Sequence, residues 1–172
     1  MVKIACLGQN NVDLYLDHQI GYPGGCDFND CRFARMLGAE AVMITVFGNE
    51  AYARHNRKVM DFYEIGYSRS RYYEGETPNA IIKIVDGDRV FFGHNHGGVN
   101  GKHPVVLEKE DIAYLNDVDL VISSKGSKMK PEEFQKLYDA GIPIAYDFSN
   151  NSPQENIEKI TPLCKFAFLS AG

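Results

Sequence analysis

Directly after an apolar run that begins at Lys3, the segment Gly8-Gln9-Asn10-Asn11-Val12-Asp13 brings amides and a carboxylate together. Asn11 and Asp13 lie two apart, so an extended segment turns both side chains to one face. An amide beside a carboxylate suits the vicinal hydroxyls of a sugar, and open α/β sheets place ligand-contacting groups at the carboxyl ends of their strands. The same residues also fit a turn in which Asn10 and Asp13 satisfy local backbone groups, and the sequence leaves both readings open. The turn is not a dinucleotide fingerprint. GxGxxG uses glycines to let backbone approach a pyrophosphate, and this chain carries the side chains of Gln9 to Asp13 there.

Other candidates are spread along the chain. Pro23-Gly24-Gly25 precedes a helical segment with Asn29 in its opening turn, so backbone N–H groups can approach an oxygen-rich ligand at a helix N-terminus; a plain turn is the alternative. His94 and His96 form an HxH pair that a strand would point to one face, with His103 nearby in sequence. No acidic or cysteine ligand follows at metal-site spacing, so solvent-facing or pocket-closing histidines are expected rather than a metal centre. Lys125, Lys128 and Lys130 cluster in a Ser/Gly-rich loop that fits either a solvated face or a phosphate contact. Asp147 ends an apolar run, where it can cap the backbone of Ser149 or Asn150.

Positioning these residues requires a parallel sheet covered by helices, because short apolar runs alternate with segments of helical period. Strands are expected at Lys3 to Gly8, Ala41 to Phe47, Leu120 to Ser123, Ile142 to Asp147 and Lys165 to Leu169. Helices are expected at Asn29 to Leu37, Ala51 to Ile65, Pro131 to Ala140 and Gln154 to Ile160. Residues 77–99 break this rhythm: Asn79 to Val85 and Val90 to His94 read as a hairpin through Asp86-Gly87-Asp88-Arg89. With Leu14 to Ile20 they make a small antiparallel sheet, a lid over a site or an ordinary edge. The class is α/β, one domain over 1–172.

Of the 172 residues, 44% are hydrophobic and 24% charged, which is ordinary for a globular chain. A net charge of -5 argues against general nucleic-acid affinity, which needs a basic face. Cys6, Cys26, Cys31 and Cys164 show no CxxC spacing and are expected to be reduced. The first residues lack a signal peptide's basic and apolar regions, and no apolar run is long enough to span a bilayer; a cytoplasmic location without membrane contact is expected.

Gly24-Gly25, three residues, Asn29, Cys31, six residues, Gly38, nine residues, Gly48 reproduces the spacing of the first signature of the ribokinase family of carbohydrate kinases. The chain resembles that family over essentially its whole length. Gly87 to Phe91, Gly97-Gly98-Val99, Tyr146 to Ser149 and Phe166 to Ala171 look most similar to its fructoselysine 6-kinase branch. The resemblance implies a ribokinase-like α/β fold with a β lid whose strands fall within 13–20 and 77–99. It implies that Asn11, Asp13, Gly24, Gly25 and Asn29 hold sugar hydroxyls, that His94 to His96 close the pocket, and that Asp147 lies near nucleotide phosphates and magnesium. ATP and Mg2+ are the implied cofactors, and a sugar or ketosamine the implied partner.

Two departures accompany the resemblance. Cys26, Asp27 and Cys31 stand where the family carries an amide or amine donor and small residues. The glycine-rich anion hole with its catalytic aspartate is missing, and no Gly-Ala-Gly-Asp element or GxxxxGK[ST] loop occurs in the 172 residues. The expectation is therefore the sugar-binding N-terminal portion of a kinase, inactive alone and binding ATP poorly. A non-catalytic sugar-binding or interaction module is the alternative. Self-association is expected through the lid, which carries Ile82, Ile84 and Phe92, or through the sheet edge at Phe166 and Phe168.

Overall fold

A computed structural model describes residues 1–170. In chain order the elements are β1 (Lys3–Gly8), β2 (Asn11–Tyr15), β3 (Ile20–Gly24), α1 (Cys26–Met36), β4 (Glu40–Phe47), α2 (Ala51–Phe62), β5 (Arg71–Tyr72), β6 (Asn79–Val85) and β7 (Asp88–His94). They continue as α3 (Gly98–Lys102), α4 (Lys109–Leu115), β8 (Leu120–Ser124), α5 (Pro131–Asp139), β9 (Ile144–Asp147), α6 (Gln154–Ile160) and β10 (Phe166–Phe168).

Six strands form a sheet in the order β10-β9-β8-β1-β4-β5, every neighbouring pair parallel. β1 and β4 are apolar nearly throughout because both of their faces are covered, as a parallel sheet requires. On one face Phe28 and Cys31 of α1 and Met60 of α2 pack against Cys6 and Met43. On the other, Leu115, Phe134, Leu137 and Ile160 pack against Leu7, Ile44 and Ile144. Pro131 opens α5, and Gly141, with φ 74°, follows its end, as the sequence indicates.

The second sheet has the order β3-β2-β6-β7. Its outer pairs are antiparallel hairpins, and its central pair, β2 with β6, is parallel. The β6–β7 turn is two residues long, with Asp86 at φ 52° and Gly87 at φ 87°, the positive pair that a type I′ turn needs. Leu14 to Ile20 is not one strand. It straddles the β2–β3 turn, and β3 reads as a loop because it contains Pro23 and two glycines, which an edge strand tolerates. Ile82 is buried, against expectation, whereas Ile84 and Phe92 are exposed. Among the described residues no helix is long and apolar enough to cross a membrane.

Candidate functional site

The loop leaving β1 is fixed from below by buried amides. Asn10 is fully buried and donates through Nδ2 to Thr45 Oγ1 at 2.6 Å and to Val46 O at 2.9 Å. Asn56 of α2 donates to Asn10 O and Oδ1, each at 3.1 Å, and to Asn11 O at 3.3 Å. Asp27 Oδ2 accepts from Gln9 N at 2.9 Å, and Asn100 Nδ2 donates to Gly8 O at 3.3 Å. Asn56 and Asn100 are not marked by sequence pattern, and Asp27 is marked only as a departure from the family's. Each is a polar residue inside a helical segment, and only its burial reveals its role.

Above this network lies a cavity of about 320 Å³, lined among others by Gln9, Asn11, Asn79, His94, His96 and Lys128. Along β2, Val12 is buried while Asn11 and Asp13 are half-buried, the alternation that their spacing predicts. Asn11 Oδ1 is buried and has no hydrogen-bond partner, an acceptor ready for a ligand hydroxyl. Asp13 packs against Gly24, where a Cβ would come within 2.6 Å of its Oδ2. Partial burial raises the Asp13 pKa above the usual carboxylate range, and the Arg89 charge opposes that rise. Gly25 caps α1 at φ 92°, and a Cβ there would sit 3.2 Å from Asn11 N and press on the loop. The helix therefore starts at Cys26 rather than Asn29.

Of the predicted residues, Asn11, His94 and His96 meet at this cavity, and Asp13, Gly24 and Gly25 form the adjoining wall. Asn29, whose N–H donates to Gly25 O at 3.0 Å, lies one turn into α1 and off the lining. The histidines are not a strand pair, because β7 ends at His94 and His96 takes φ 56°. His96 N donates to His94 Nδ1 at 3.0 Å and the rings meet edge to face at 4.7 Å. His103 stacks instead on Tyr73 at 4.1 Å, in a separate pocket. Among the described residues no three His, Cys, Asp or Glu side chains are grouped to hold a metal.

Asp147 lies elsewhere, in a second hollow of about 600 Å³ lined by Cys26, Asp30, Ile122, Asp147, Phe166 and Phe168 among others. Its Oδ1 accepts from Ser149 N at 2.8 Å, which is the cap that the sequence allowed, and its Oδ2 accepts from Cys26 Sγ at 3.4 Å. Burial raises the Cys26 thiol pKa, and Asp30, Asp27 and Asp147 raise it further. Burial also pushes the Asp27 carboxyl up to about 8. Among the described residues no basic side chain lines this hollow. Phe166 and Phe168 of β10 are 47% and 58% exposed. Lys125 reaches Asn151 O at 3.0 Å, and Ala171, which ends the Phe166 to Ala171 motif, lies outside the described residues.

No family model matches the chain. In sequence it is 29% identical to the fructosamine kinase FrlD of Bacillus subtilis, over 99% of this chain and 60% of that protein. It is 26% identical to the fructoselysine 6-kinase of Escherichia coli, over 99% of this chain and 64% of that protein. Its fold matches a ribokinase from Giardia lamblia with TM-score 0.81 at 15% identity, over 98% of this chain and 58% of the other. The fold is ribokinase-like. A fructokinase with bound ATP from Xylella fastidiosa shares this ribokinase-like fold with TM-score 0.77 at 15% identity, over 96% of this chain and 56% of the other. The chain spans about three fifths of the length of the curated relatives it matches.

Proposed function

We propose that this ribokinase-like chain supplies the sugar-binding part of an ATP-dependent kinase acting on a ketose or ketosamine. The observation that carries the reading is the cavity of about 320 Å³ at the end of β1, where the buried Asn11 Oδ1 is unpartnered. A volume at the small end of ligand sites suits a sugar, and a buried acceptor without a partner costs stability unless a ligand hydroxyl or water satisfies it. Asp13 and the Gly24-Gly25 backbone lie beside it, and sequence similarity to the fructosamine and fructoselysine kinases supports a ketose or ketosamine as the substrate class.

In this reading the four-stranded sheet closes over the bound sugar, and the Asn10–Asn56 network holds the loop in its binding geometry before the sugar arrives. ATP with magnesium would supply the phosphoryl group in the complete enzyme. The described residues do not by themselves suit a nucleotide phosphate: around Asp147 stand Asp30 and the Cys26 thiol, with apolar residues and no cation. Phosphoryl transfer depends on positive or hydrogen-bonding groups around the migrating phosphoryl, so this chain alone binds sugar without catalysing transfer.

Titration calorimetry with fructose, fructoselysine and glucose tests the reading. A saturable signal for a ketose or ketosamine, weakened at least about tenfold in Asp13→Ala, is expected for loss of a charged hydrogen bond. Identical null signals from the folded wild-type chain and the variant would defeat it.

A further inference from the structure

Asn10 and Asn56 commit their side-chain amides to neighbouring protein atoms, whereas the amide of Gln9, in the same loop, makes no hydrogen bond among the described residues. Its backbone is nonetheless fixed, because Gln9 N donates to Asp27 Oδ2 at 2.9 Å. Two glycines from distant segments hem in the side chain: a Cβ at Gly25 would lie 3.3 Å from Gln9 Cγ, and one at Gly126 would lie 2.7 Å from Gln9 Cδ. Gln9 and Gly126 both line the cavity at the end of β1. We propose that Gln9, seated against Gly126, is a sugar-contacting residue of this site whose side-chain amide hydrogen-bonds a hydroxyl of the ligand. This inference rests on the sugar-binding reading above and deepens it.

The two glycines are required for different reasons. Gly25 takes φ 92°, a conformation that favours glycine whatever the space around it. Gly126 sits in the single 3-10 turn Lys125–Ser127 after β8, outside the left-handed region, so its backbone accepts alanine and only room is lacking. The nearest atoms that a side chain at position 126 would meet all belong to the end of Gln9, which is flexible. A methyl there should therefore displace the Gln9 amide and leave the fold in place. The amide donates through its nitrogen and accepts through its oxygen, and a hydroxyl can answer either group. Half-buried and without a protein partner, that amide is completed by water or by a ligand, and a sugar hydroxyl in the cavity takes the water's place.

The test titrates fructose and fructoselysine into the 172-residue chain by calorimetry, and into Gln9→Met, Gln9→Ala, Gly126→Ala and the double variant of the last two, with a thermal melt of each. Gln9→Met keeps the packing between the glycines and removes the hydrogen bond. Each single variant is expected to bind the tighter of the two sugars about three- to tenfold more weakly, the loss of one neutral hydrogen bond. Melting temperatures should stay within about 2 °C of wild type. The double variant should bind no more weakly than Gln9→Ala, because the methyl at position 126 acts only by displacing the amide. Additive losses would mean that the methyl merely fills the cavity, and would overturn the seating of Gln9 on Gly126. Wild-type affinity in Gln9→Met, or a large fall in its melting temperature, would make Gln9 a packing residue and overturn the inference while leaving the sugar-binding reading intact. Silence of the wild-type chain with both sugars overturns both.

Discussion

Around Asn11 each turn of the chain is tied down by a buried side chain, Asn10 to β4, Asn56 to the loop, and Asp27 to Gln9. Around Asp147, β10 is the outermost strand of the parallel sheet among the described residues, with Phe166 and Phe168 about half exposed. The first region is preorganised, with polar groups held in place; Asn11 Oδ1 is left unpartnered beside the cavity, and so are the Oδ1 atoms of Asp27, Asn56 and Asn100 within the network. The second has an apolar wall and a carboxylate cluster with no counter-charge among the described residues that line it. The contrast teaches that preorganised polar groups gather at the end of β1 and not at the end of β9. Under the proposed function, the first region would bind the sugar and the second would contribute only a wall to the nucleotide's site.

Substitutions at the two regions sharpen this contrast, and the largest effect is expected at Gly8. Its φ is 146°, and a Cβ there would lie 2.2 Å from Asp27 Oδ2 and 2.6 Å from Ser127 Cβ. Gly8→Ala should destabilise by on the order of 3 kcal/mol, a fall in melting temperature of roughly 6–12 °C by differential scanning calorimetry. A fall of only a degree or two would mean that the floor of the Asn11 region is soft.

Asp27 should come next, with a pH signature. Its folded pKa of about 8 is raised by burial above the ordinary carboxylate value, so the unfolded chain gives up this proton first as pH rises. The protonated carboxyl therefore favours the fold fully below about pH 4, and that contribution is lost on the way up to about pH 8. Asp27→Asn should be more stable than wild type at pH 8.5 by on the order of 2 kcal/mol in urea melts, and its stability should lack the downward slope. Equal slopes in the two proteins would show that Asp27 is not the titrating group.

A smaller loss is expected for Asn56→Ala, which strips Asn10 of a buried partner and should cost about 1–3 kcal/mol while weakening sugar binding from a distance. The smallest change in stability should follow Phe166→Ser with Phe168→Ser, within about 1 kcal/mol, because both side chains are half exposed already. Their effect should appear in sedimentation velocity as reduced self-association, since exposed apolar edge strands invite pairing. Unchanged sedimentation together with a large loss of stability would make that face part of the core.

The parallel sheet was legible because its strands are nearly continuous apolar runs; Lys3–Gly8 falls where the pattern puts it, and the ends of α6 do as well. The β6–β7 hairpin was legible from Asp86-Gly87. β3, α3 and α4 were not. β3 is an edge strand rich in Gly and Pro, and the short helices bury only Val99, Asn100, Asp111 and Leu115, too few residues to set a period. At the candidate site, spacing and position marked Asn11 and Asp13 as candidates, whereas nothing in the sequence marked Asn56 and Asn100. An amide that hydrogen-bonds to a distant loop looks in sequence like any polar helix residue until the fold brings the two together.

The most direct test of the separation is calorimetric titration of a ketosamine into the 172-residue chain, with and without ATP and magnesium, followed by product analysis of the same cell. The predicted result is the same sugar affinity under both conditions and no phosphorylated sugar. Robust turnover by the chain alone, or sugar binding that appears only with nucleotide, would contradict the claim that it carries sugar recognition without phosphoryl transfer.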